Sequence, residues 1–247
     1  SSPLPRGGPP ASAFVCARRE GPGFSGGVVM VPPPSREDMV AQAWVTGFTN
    51  IAMLPVTIQA FSYGKHYEGI MGMMAMVTSS LYHTCQSLDI TFLTLNEGRW
   101  HHMDNVFAIL SLMAMSIGFA QLPLHSVWRE LFHAASVGVA VCAQLAYPWD
   151  VRFTIGPLVF SVVFTILAVA LRWKHLRFNR QAGMIAIVSF VCAVVCFVQG
   201  LDDQKDRMRL WHGGWHIFVS LFSGFSLRAQ RGPAKGVEPS DVFDKSD

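Results

Sequence analysis

Charged side chains are scarce in this chain. Asp, Glu, Lys and Arg make up 14% of its 247 residues, against about 25% in a soluble domain. That shortage, beside 51% hydrophobic residues and a mean hydropathy of +0.34, excludes an ordinary soluble domain and points to a membrane protein. The net charge of +3 is too small for an electrostatic footprint on nucleic acid, so no nucleic-acid partner is expected. Cysteine is sparse and scattered: Cys16, Cys85, Cys142, Cys192 and Cys196 form no Cys-x-x-Cys pair. This excludes a zinc ribbon and does not read as a disulfide framework. Four of the five lie in or beside apolar segments, where cysteine behaves as a small hydrophobe. An initiating methionine is also missing. A fragment, a processed form or an incomplete gene model is therefore expected, and a signal peptide would not be visible.

Residues 1–38 hold eight of the fourteen prolines and much glycine and serine. Such a stretch cannot bury enough apolar surface to offset its ordering entropy, so a flexible tail is expected there. From about residue 40 the pattern turns to long apolar runs joined by short polar segments. A bilayer-spanning helix needs about 20 mostly apolar residues. Seven segments meet that measure, at roughly 42–63, 67–87, 102–121, 126–147, 153–172, 182–200 and 209–228. The expected fold is all-α: a seven-transmembrane-helix bundle over 39–230, with a polar cytosolic tail at 231–247. Pro55 removes a backbone donor from the first segment and should kink it. Arg129, Glu130 and His133 near the start of the fourth should face the bundle interior, or lie at headgroup level in the case of His133. The joint from Arg172 to Arg180 carries four Arg or Lys in nine residues. The positive-inside rule puts it in the cytosol, so the N-terminus lies in the lumen or exterior and the C-terminus in the cytosol.

The most informative stretch is Leu210-Trp211-His212-Gly213-Gly214-Trp215-His216. Its two histidines, four residues apart, share one helical face. Imidazole is the commonest metal ligand among side chains, and a catalytic zinc takes three protein ligands and leaves a position for water. The alternating topology brings together the end of the second segment, with Ser79 and His83, and the starts of the third and seventh, with Asp104 and His212/His216. His83 is thus the expected third ligand, with His101 or His102 as rivals. Zn²⁺ held by three neutral imidazoles lowers the pKa of a coordinated water towards about 7. Asp104 can accept the proton of that water, and the Ser79 hydroxyl can hold the water or a later oxyanion. Each residue also has a plainer reading. The histidine pair could be interfacial, Ser79 a small residue in a packing seam and Asp104 a helix-terminal charge. His125 and His175 fit headgroup or loop positions. Tyr82, Trp100, Trp211 and Trp215 suit an interfacial aromatic belt.

In these residues the sequence resembles the superfamily of seven-helix membrane hydrolases that contains the alkaline ceramidases, the progestin and adipoQ receptors and the post-GPI-attachment proteins. The closer likeness is to the transmembrane protein 8 and myomaker family. Asn50-Ile51-Ala52-Met53-Leu54-Pro55 is similar to its Ser-Asn-Leu-x-Phe-Leu-Pro signature. Glu68 followed by Tyr82-His83-Thr84-Cys85 is similar to its Glu…Tyr-His-Ala-Cys stretch, and His212-Gly213-Gly214-Trp215-His216 to its His-x-x-Trp-His. Gln86 departs from the aspartate that follows the cysteine in that family. The resemblance implies zinc on His83, His212 and His216, with Asp104 and Ser79 beside it. It implies either hydrolysis of an acyl ester or amide in a membrane lipid, GPI lipids among the candidates, or a non-enzymatic receptor or fusion protein with a structural zinc.

Overall fold

The computed structural model describes residues 35–147, 150–202 and 205–231. The tails expected at the two ends, apart from the few residues next to the first and last helices, lie outside the described residues. Eight α-helices run in order: α1 Arg36–Asn50, α2 Met53–Ser62, α3 His66–Leu88, α4 Glu97–Gly118, α5 Val127–Ala146, α6 Val151–Arg172, α7 Arg180–Gly200 and α8 Leu210–Gln230. A 3₁₀ turn at Trp173–His175 prolongs α6, and the described residues contain no β-strand. Each of the seven apolar segments is helical. The first begins earlier than expected, inside the stretch assigned to the tail. Ser35 starts α1 there with a capping box, its hydroxyl accepting from the Asp38 amide at 3.1 Å while the Asp38 carboxylate accepts from the Ser35 amide at 3.1 Å. The reciprocal bonds satisfy amides that a helix start otherwise leaves open.

The same segment is broken between α1 and α2. Pro55 has no N–H and its ring crowds the carbonyl four residues back, that of Ile51. The chain answers with tighter bonds, Ile51 N to Phe48 O at 3.1 Å, Ala52 N to Thr49 O at 3.2 Å and Leu54 N to Ile51 O at 2.9 Å. Arg36–Ser62, Val151–His175 and Arg180–Gly200 are long and apolar enough to cross a membrane, the signature of an integral membrane protein.

The distribution of polarity agrees with that. On α6 the buried residues are Pro157, Ser161 and Thr165, spaced four apart. Large apolar side chains such as Val159, Phe160, Val163 and Ile166 are exposed. On α7 the buried stripe is Ala182, Ala186, Ser189, Ala193, Cys196 and Gly200, all small, while Ile187, Val188, Val191 and Val195 face outward. Water would favour the reverse; in lipid, small residues let helices approach and hydroxyls join them. Ser116 and Thr165 meet at 2.9 Å between α4 and α6 in this way.

α4 lies at the centre, packed against α3, α5, α6 and α8, and its Ile109, Met113 and Ala114 are almost wholly enclosed. Contacts at the two ends define the course of the chain. Arg207, just before α8, pairs with Asp38 at the start of α1 at 2.8 Å. At the opposite end Gln59 of α2 donates to the Gly224 carbonyl at 3.1 Å, Lys65 bonds Gln230, and the Asn179 amide donates to Ala229 O at 3.0 Å. α7 and α8 are therefore antiparallel, whereas α1–α2 and α8 run the same way.

Near that second end Arg129 of α5 lies over Glu68 of α3, one guanidinium nitrogen donating to both carboxylate oxygens at 2.6 and 2.9 Å. Both residues are buried, as expected for Arg129, whereas Glu130 is exposed rather than turned inward. His133 differs from the headgroup position expected of it. It is 3% exposed and stacked on Tyr67 with ring centres 4.0 Å apart, because its helix turns this face to α3. Removing one partner of a buried ion pair leaves an uncompensated charge, at about 3–5 kcal/mol. Glu68→Gln should therefore lower the unfolding temperature of the detergent-solubilised protein clearly. The double variant Glu68→Gln, Arg129→Met should recover much of the loss; equal stability of Glu68→Gln and wild type would refute this account.

Candidate metal centre

The end of the bundle that carries the Asp38–Arg207 pair also gathers the histidines. α3 ends just beyond His83, and Asp89 closes it in the left-handed conformation with φ 50°. The link to α4 folds back tightly, Phe92 and Leu95 exchanging backbone bonds at 3.1 and 3.0 Å. Asn96 then caps α4 through the Arg99 amide at 3.1 Å. This short return sets the C-terminal part of α3 beside the N-terminal part of α4. Ser79 thereby comes beside the Asp104 carboxylate.

At the start of α8 the buried carboxylate of Asp206 accepts from the Trp211 amide at 3.1 Å and from the His212 amide at 2.9 Å. An anion over the open amides of a helix N-terminus is favourable. Here it anchors the turn that bears His212. The two glycines after His212 are spaces for neighbours. A Cβ on Gly213 would lie 3.1 Å from Val45 Cγ1 and 3.2 Å from Thr49 Cγ2, and one on Gly214 would lie 3.0 Å from Cys196 Sγ. Their absence lets α1 and α7 close on α8 from two sides.

His83, His212 and His216 converge, each offering a ring nitrogen within 4.8 Å of the others. His83 and His216 are buried, at 2% and 6% exposure. The Nε2 atoms of His83 and His212 are 2.9 Å apart, a contact that needs a proton or a cation between two lone pairs. Tetrahedral Zn²⁺, with Zn–N about 2.0–2.1 Å, separates ligand nitrogens by about 3.3 Å. The donor set suits such an ion in its chemistry, and its nitrogens lie near enough to converge on one. His83 Nδ1 faces Gln86 Oε1 at 3.4 Å, and His216 Nδ1 faces Thr49 Oγ1 at 3.0 Å.

Of the residues singled out in the sequence, His83, His212 and His216 form one cluster, and Ser79 and Asp104 form a pair one helical turn from His83 along α3. His101 stands apart from the cluster, its ring edge-on to Tyr82 at 4.8 Å, and His102 is likewise not a member. Tyr82 and Trp100 are buried with Cys85 in a small apolar core, whereas Trp211 is exposed. Thr49, Gln86 and Asp206 are additions. Asp206 had a visible signal, an acidic residue just ahead of an apolar helix. Thr49 had none, because its partner lies 167 positions away.

Fold and site together define a helical integral membrane protein with a three-histidine cluster that can hold a metal. Over residues 38–217 the chain matches, and belongs to, a family described as a protein of unknown function, DUF3522. No curated protein matches it.

The Gly213 contact is open to test. Gly213→Leu places a side chain against Val45 and Thr49, and overpacking of this kind costs about 1–3 kcal/mol. The variant should unfold at a lower temperature than wild type, whereas Gly138→Leu, with open space at its Cβ position, should not.

Proposed function

We propose that this protein is a zinc-dependent hydrolase of an acyl ester or amide in a membrane lipid, with Zn²⁺ on His83, His212 and His216. The observation that carries the reading is the meeting of three imidazoles beside a hydroxyl–carboxylate pair, Ser79 and Asp104, at one end of an apolar bundle. Held by three neutral imidazoles, Zn²⁺ would have a position left for water and would supply that water activated at neutral pH. The histidines hold the charge and leave that position free. Asp104 takes the proton of the attacking water and returns it to the leaving alcohol or amine. The Ser79 hydroxyl, with one proton to give, holds the attacking water or the oxygen that becomes negative at the carbonyl. A site set among bilayer-spanning helices meets lipid as its natural substrate. The resemblance to the seven-helix membrane hydrolases belongs to the same reading.

In this reading α1–α2 and each of α3 to α8 cross the bilayer, seven crossings in all. α3, α4, α5 and α8 are less apolar because they turn polar groups such as Glu68 and Arg129 inward, where such groups sit in membrane proteins. Arg172, Lys174, Arg177, Arg180, Arg228 and Arg231 cluster at the end opposite the histidines. That end is cytosolic by the positive-inside rule, which places the N-terminus and the histidine cluster on the lumenal or exterior side.

Two experiments test the proposal. His83→Ala, His212→Ala and His216→Ala should each lose most of the zinc measured in purified protein, and His101→Ala should keep it. Full zinc in the His83 variant would remove that residue from the site. Asp104→Asn keeps size and hydrogen bonding but cannot take a proton, and general-base help is worth about 10²–10⁴-fold. The variant should retain zinc and its unfolding temperature while fatty-acid release falls by that factor. A zinc-loaded wild type that releases no fatty acid from phospholipid, GPI lipid or ceramide would leave the zinc as a structural tie in a receptor or fusion protein.

A further inference from the structure

We infer that Thr49 is a positioning residue for the metal centre, holding His216 in the tautomer whose Nε2 lone pair faces His83 and His212. The inference rests on the metal reading above and concerns a helix, α1, that supplies no ligand. Thr49 Oγ1 lies 2.8 Å from the Val45 carbonyl, 3.2 Å from the Thr46 carbonyl and 3.0 Å from His216 Nδ1. The hydroxyl has one proton and two lone pairs. A helical threonine commonly gives its proton to the carbonyl four residues back, and the 2.8 Å contact to Val45 is the shortest of the three. The hydroxyl then presents a lone pair to His216. The ring is then the donor in this contact, and Nδ1 carries the proton. Nε2 is left bare on the side of the other two histidines.

His83 shows the same arrangement by another route. Its Nδ1 faces the amide oxygen of Gln86 at 3.4 Å, and its Nε2 points at His212. Metal-bound histidines are generally held this way, with the second ring nitrogen donating to an oxygen that fixes tautomer and orientation. What is particular here is the route. α1 reaches His216 only because Gly213 lacks a side chain, the Cβ it would carry falling 3.2 Å from Thr49 Cγ2. The break that follows at Ile51 and Ala52 leaves Thr49 in the last turn of α1.

The test compares Thr49→Val, which keeps the shape and loses the hydroxyl, with Thr49→Ser, which keeps the hydroxyl. The full chain in detergent is titrated with Zn²⁺ against a chromophoric chelator, and with Co²⁺ for its visible absorption bands. Loss of such an outer partner typically costs about 10–100-fold in metal affinity. Thr49→Val should raise the zinc Kd at least about tenfold and alter the Co²⁺ bands, while Thr49→Ser stays near wild type. The metal-free unfolding temperatures of all three should agree. Should Thr49→Val fail to fold, Thr49→Ala removes the same hydroxyl and is read against the same Kd. An unchanged Kd in the variant without the hydroxyl, or an equal loss in Thr49→Ser, overturns the role of Thr49 and leaves the metal site standing. A wild type that binds neither ion overturns the metal reading and this inference with it.

Discussion

The contact between the ring nitrogens of His83 and His212, 2.9 Å apart, depends on nearly every other feature of the bundle. The two residues belong to α3 and α8, helices held in place by shared neighbours: α1, α2 and α4 each pack against both. A shift of any of the three moves one histidine relative to the other. The cluster therefore reports on the assembly of five helices, and a metal ion there would tie the same elements together. Metal affinity and folding are coupled in sites of this kind.

Those helices approach closely because the residues between them are small. The buried stripe of α7 is alanine, serine, cysteine and glycine, and Gly200 comes so near α8 that a Cβ on it would lie 3.1 Å from the His212 amide nitrogen. In lipid there is little gain in burying large apolar side chains between helices, since the bilayer is as apolar as they are. Fine packing and hydroxyl bridges take over that role. On α6 and α7 the large apolar residues are accordingly outside, and the buried stripes are small or carry hydroxyls.

The two ends of the bundle have different chemistry. One holds the imidazoles, a hydroxyl–carboxylate pair and the Asp206 anchor. The other holds the buried Arg129–Glu68 pair, with His133 and Tyr67 stacked beside it. That ion pair joins α5 to α3, the helix that carries His83 at its far end. A charge pair so enclosed adds little net stability but penalises alternative packings in which either charge loses its partner.

Hydropathy pointed to the helices, three of which are long and apolar enough to cross a membrane, because an apolar run of about 20 residues leaves the chain few alternatives in lipid. Pro55 announced the break in the first, since the missing donor is a property of the residue itself. The spacing of His212 and His216 on one helical face followed from 3.6 residues per turn. Other features needed the third dimension. Local pattern left His83, His101 and His102 open as partners, and only the rotation of α3 and α4 brings His83 to the cluster and turns His101 to Tyr82. His133 looked like a headgroup residue because it lies near the start of its apolar segment; the face its helix presents to α3 buried it. Thr49 is an ordinary helical threonine until Gly213 admits it to His216. Periodicity and composition act within a segment, whereas these choices are made by side chains far apart in the chain, through contacts that exist only once the helices have packed.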